Sequence, residues 1–165
     1  MELLVATAIS TGVALGAVSF YLFSLNSFAS TSNYTDLNAK SRYASDIISR
    51  DIRNSNCVGF ASTNQLMLNL QNDPNPVTYD YDAAAGTLQR TQGASTQTLL
   101  RGITSLSWTL YELPTNGASY GNFPPAVLAV DTKFISFQWT CSRLLSGAQS
   151  NSASLQTAMV ELRNR

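Results

Sequence analysis

Leu3 to Leu25 is a run of apolar and small residues, interrupted only by Thr7, Ser10, Thr11, Ser19 and Ser24. One carboxylate, Glu2, stands before it, and no further charge follows until Asp36. At ~1.5 Å per residue the run makes about 34 Å of helix, enough for a ~30 Å hydrocarbon core. No Lys or Arg precedes it and no A-x-A site closes it, so the pattern predicts a retained membrane helix rather than a cleaved signal. From Ser30 the pattern turns amphipathic. Leu37, Ala44, Ile48 and Ile52 recur at helical spacing, and Ile47 widens the stripe. Asp36 precedes Lys40 by four residues, and Asp46 precedes Arg50 by four. This acid-before-base order is worth ~0.2–0.5 kcal/mol per pair. No proline occurs before Pro74, so nothing forces a break between the two halves. The expectation is one rod from about Leu3 to about Asn54, roughly 75–80 Å long, ended by Asn54-Ser55-Asn56.

Beyond the helix the period changes to two. QLMLNL alternates, and VTYDYD places Val77, Tyr79 and Tyr81 on one face. DAAAGTLQR reads as a turn at Gly86 into a strand. LLRGITSLSWTLYEL reads as a strand with Leu106, Trp108 and Leu110 on one face. KFISFQWTC does the same with Ile135, Phe137, Trp139 and Cys141, and LQTAMVELRN is the last strand. LPTNGASYGNFPPAV and RLLSGAQSNSAS are loops by composition. A helix followed by antiparallel strands predicts an α+β fold in which a sheet packs on the helix stripe. The chain divides into a transmembrane and assembly helix over 1–28, its amphipathic continuation over 29–56, and a β-rich globular domain over 57–165.

Charge and chemistry narrow the function. Ten basic and ten acidic residues balance to zero, which argues against the basic footprint that nucleic acid requires. No histidine occurs, so Ser-His and Cys-His catalysis and the usual zinc sites are excluded. No phosphate-binding glycine motif is present, and no cofactor is expected. Asp80 and Asp82 form a solvated face rather than a metal or acid–base pair, and Asn72-Asp73-Pro74-Asn75 is a turn. Tyr79, Tyr81, Trp108 and Trp139 at strand spacing are core rather than a stacking platform. Arg163 and Arg165 are a soluble end. The two cysteines, Cys57 and Cys141, either form one disulfide tying the helix exit to the sheet or remain separate thiols. Gly12 and Gly16 make a G-x-x-x-G pattern that admits close helix approach.

The opening MELLVATAIS resembles the prepilin-type N-terminus of type IV pilin-like proteins, with Glu2 at the family's glutamate. SRYASDIISRDIRNS, VTYDYDAAAGTLQR, LLRGITSLSW and MVELRNR are similar to segments of the W-type minor pilins and of the J-type pseudopilins of type II secretion. The resemblance implies a pilin-like fold and a structural subunit that is not an enzyme. It implies an inner-membrane helix carrying a periplasmic or extracellular domain. It further implies partners among other pilin subunits, with assembly into a pilus or pseudopilus or its priming tip. Cleavage by a prepilin peptidase is expected only where a basic leader precedes Met1. That leader would also supply the cytoplasmic charge, because Lys40 and Arg42 alone would weakly place the domain in the cytoplasm. In such assemblies Glu2 would meet the N-terminal amine of a neighbouring subunit and set register. The other expectations are a membrane-tethered module binding DNA or an exported substrate, and a tethered hydrolase with carboxylates ~5–9.5 Å apart.

Overall fold

The computed structural model describes residues 1–71, 73–114, 123–143 and 153–162, with the backbone alone for 153–158. The two predicted loops fall largely outside these residues, as do Asn72, Arg163 and Arg165. The predicted rod forms as one helix, α1 (Glu2–Arg53, 52 residues). Arg50 and Arg53 sit in its last turn, where cations complement the helix dipole. Asn54 closes it by donating its N–H to Arg50 O at 3.0 Å.

Among the described residues eight antiparallel strands follow: β1 (Ser55–Ala61), β2 (Gln65–Leu70), β3 (Val77–Asp82), β4 (Thr87–Gln92), β5 (Ser95–Arg101), β6 (Ile103–Tyr111), β7 (Phe134–Ser142) and β8 (Ala153–Glu161). The sequence pattern does not mark β1, whose pairing with β2 is irregular at two places and blurs the alternation. It also reads β5 and β6 as one strand. The break is Gly102, with φ +77°, a left-handed conformation that side chains disfavour. A Cβ there would lie 2.6 Å from Ser142 O. Ser142 N–H donates to Gly102 O at 2.7 Å, and Ile103 N–H donates to Gly86 O at 3.0 Å. The corner therefore separates two sheets, β1-β2-β3-β4-β5 and β6-β7-β8, where the pattern predicts one.

The core lies between α1 and these sheets, with α1 packed chiefly on β8 and β5. Leu37, Ala44, Ile47, Ile48 and Ile52 are all buried, as the stripe predicts. Ile135, Phe137, Trp139 and Cys141 have no exposed surface, and Tyr79 and Val77 of the larger sheet are buried in the same core. Each fully buried aliphatic side chain contributes about 1.5–3 kcal/mol. Trp108 bridges the sheets, its ring 6.3 Å from Tyr79 and 6.1 Å from Phe137. Phe137 stacks on Trp139 at 5.2 Å. Tyr79, Tyr81, Trp108 and Trp139 thus belong to the interior or its margin.

Candidate functional site: the exposed apolar helix

The first 28 residues of α1 touch no part of the β-rich body: all are exposed except half-buried Ser24. Leu3 is 83% exposed, Phe20 74% and Phe28 72%. Large apolar side chains point outward all round the helix, far beyond the patch of a few hundred Å² usual on a soluble monomer. A helix apolar on every side is stable in lipid or among other helices. Its polar residues are partly neutralised from within. Thr7 Oγ1 donates to Leu4 O at 3.0 Å and Thr11 Oγ1 to Thr7 O at 2.8 Å, so neither hydroxyl donor needs water. By length and composition this is one candidate membrane-spanning helix near the N-terminus.

Glu2 lies exposed in the first turn and makes no side-chain cap. It forms no ion pair or hydrogen bond among the described residues. Gly12 and Gly16 sit one turn apart, and a Cβ at either would meet nothing within 4 Å. The surface over them is open to a second backbone. The three expected assembly residues therefore lie on the same exposed segment, where none of the described residues occupies them.

The lower half of α1 is held by polar contacts that the apolar stripe does not reveal. Asp51, 4% exposed, accepts from Tyr79 Oη at 2.7 Å and Arg90 Nε at 2.6 Å. Trp139 Nε1 donates to buried Ser41 Oγ at 2.6 Å. Burial first, and then the Asp51 charge, pushes the Tyr79 phenol far above its ordinary value. Burial works against the Arg90 cation, but the hydrogen bond and charge of Asp51 outweigh it and raise its pKa. The signal for Ser41 and Asp51 is present in the spacing. Leu37, Ser41, Ala44, Ile48 and Asp51 step by four, three, four and three along one face, but an apolar count passes over the polar members.

Nearer the free half, Asp36 pairs with Lys40 at 2.9 Å as the sequence predicts, and also with Arg143 Nη1 at 2.9 Å. Arg143 Nη1 also donates to Asn33 Oδ1 at 3.3 Å. Hydrogen bonds from Lys40 and Arg143 hold the Asp36 carboxyl below its ordinary value. The companion Asp46–Arg50 pair does not form among the described residues. Arg50 Nε lies instead 3.7 Å from Asp51 Oδ1, drawn toward the buried carboxylate.

The cysteines are unbridged. Cys57 is half-buried on β1 and accepts from Asn69 Nδ2 at 3.4 Å. Cys141 is buried on β7, in the other sheet, where burial pushes its thiol up to about 11. Asp80 Oδ1 accepts from Gln65 Nε2 at 2.7 Å, and Asp82 Oδ1 accepts the N–H groups of Ala84 and Ala85. Asp73 receives the Asn75 N–H at 2.8 Å, an Asx turn as predicted. Among the described residues no group of carboxylates, cysteines and histidines could hold a metal. No protein-family model matches the chain, and no curated protein matches it.

Proposed function

We propose that this chain is a structural subunit, a minor pilin or pseudopilin, that assembles through α1 into a type IV pilus or type II secretion pseudopilus or at its priming tip. The observation that carries the reading is the exposed apolar half of α1, with a carboxylate at its tip that has no partner among the described residues and a body folded without it. Before assembly this half would sit in the inner membrane with the β-rich body in the periplasm. In the filament it would pack among equivalent helices of other subunits. A carboxylate carried into that apolar bundle costs several kcal/mol unless it is paired. A cation at ~4 Å and an effective dielectric near 20 returns about 4 kcal/mol. A neighbour's N-terminal amine in that position makes the correct stagger stable and wrong registers costly.

The test is incorporation. Glu2→Gln and Glu2→Ala are expected to leave the body folded and membrane-inserted but to remove the chain from sheared filaments on immunoblots. Incorporation at the wild-type level would refute the register role. If wild-type chain is also absent from sheared filaments of every such machine in its host, the subunit reading itself is wrong.

A further inference from the structure

Where α1 enters the body, a small cavity of about 140 Å³ opens beside Leu37, the first buried residue of the helix. Lys40, Arg101 and Arg143 line it, together with Thr98 and the buried Leu99 and Leu100. Three cations thus line one cavity in a chain whose overall charge is zero, and two of them, Lys40 and Arg143, share one carboxylate, Asp36. Much of their hydrogen-bonding capacity is unspent. Among the described residues Lys40 uses one of its three donors on Asp36, and Arg143 uses Nη1, on Asp36 and Asn33. Arg101 is exposed and has no ion pair among the described residues, and Thr98 is also exposed. A ring of unspent N–H donors with excess positive charge, floored by leucines, suits a tetrahedral oxyanion attached to an apolar remainder.

Its place along the helix narrows the source. Leu37 lies nine residues beyond Phe28, the end of the free apolar half, or about 14 Å along the axis. The headgroup layer occupies roughly 5–8 Å of that distance. The remaining gap of roughly 6–9 Å is comparable with a Debye length of ~8 Å, and ordinary helix tilt of about 20° shortens it. Lys and Arg side chains extend toward such a surface readily.

We propose that this cavity binds the phosphate of an anionic lipid headgroup and so seats the body on the membrane before the helix leaves it. The proposal rests on α1 spanning a bilayer, not on which filament the subunit joins. Arg101 would be the main ligand, because its guanidinium has no competing carboxylate; Lys40 and Arg143 would add charge, and Thr98 a hydroxyl.

The full chain in nanodiscs of phosphatidylcholine with about 30% phosphatidylglycerol, a level at which the surface is clearly anionic, provides the test. Lipids retained on the ejected protein are counted by native mass spectrometry. Wild type is expected to retain phosphatidylglycerol above its share. Arg101→Gln and Lys40→Gln should each lower that preference about fivefold, the effect of one cation near an anionic surface. Arg42→Gln, an exposed helix cation outside the cavity, should leave it unchanged. Retention in proportion to bilayer composition would overturn the proposal. So would an equal loss with Arg42→Gln, which would mean unspecific attraction. Displacement of the lipid by an equal concentration of inorganic phosphate would assign the cavity to a free anion instead. Because the readout is lipid retention in a bilayer, its failure is distinct from failure of filament incorporation.

Discussion

At the residue scale the body depends on a few buried polar atoms whose loss strands their partners. Asp51 is the sharpest case, since it satisfies both Tyr79 and Arg90. Asp51→Ala would leave a largely buried guanidinium without its counter-ion and is expected to destabilise the chain by about 3–5 kcal/mol. Tyr79→Phe removes one hydrogen bond and leaves the ion pair, so about 1–1.5 kcal/mol is expected. Urea unfolding of the detergent-solubilised chain, followed by tryptophan fluorescence, should reproduce that order; equal effects would contradict it. The thiols give a second check. Burial raises Cys141, so almost none of it is thiolate at pH 8, and it should resist alkylation until the body unfolds. Asp36 supplies the pH dependence. Its native pKa lies below the unfolded value, so its pairing with Lys40 and Arg143 is at full strength above about pH 4 and fades as pH falls through the lowered native value. In Asp36→Asn that part of the acid sensitivity should disappear.

At the element scale the decisive feature is the corner between β5 and β6. Both strands have ordinary strand composition, and without a break they would continue as one. Gly102 turns the chain because its φ of +77° brings its carbonyl to Ser142 N–H and leaves no space for a side chain. Gly102→Ala is therefore expected to cost more than the ~1 kcal/mol of left-handed strain alone, because the added carbon meets a backbone oxygen that cannot move freely. Thermal unfolding of this variant should show a lowered midpoint, and an unchanged midpoint would mean that the corner is softer than its geometry indicates. The alternation in β2, β3 and β7 is legible because those strands bury one face cleanly. The irregular β1 is not, and neither is the split of the β5–β6 segment, because glycine in a strand pattern signals an anomaly without saying which sheet comes next.

At the scale of the whole molecule, the chain is a body with a long apolar spine that makes no contribution to the body's own packing. Removing residues 1–28 is expected to leave the midpoint of unfolding nearly unchanged and to abolish the need for detergent, as size-exclusion chromatography and circular dichroism would report. A large loss of stability would mean that the spine folds with the body. The hydrophobic pattern alone determined this long helix, its two-part character and the residues of its buried stripe. These are local properties, fixed by the period of the backbone and by the reluctance of apolar groups to meet water. Only the tertiary structure decided the partners of Ser41 and Asp51, which the spacing places on the buried stripe: Trp139 for Ser41, and Tyr79 with Arg90 for Asp51. It alone divided the strands into two sheets, left Cys57 and Cys141 apart, and brought Arg101 and Arg143 to Lys40. Such pairings join residues as much as 110 positions apart, as Arg143 and Asn33 are. No local preference encodes them, because they follow from how whole elements pack.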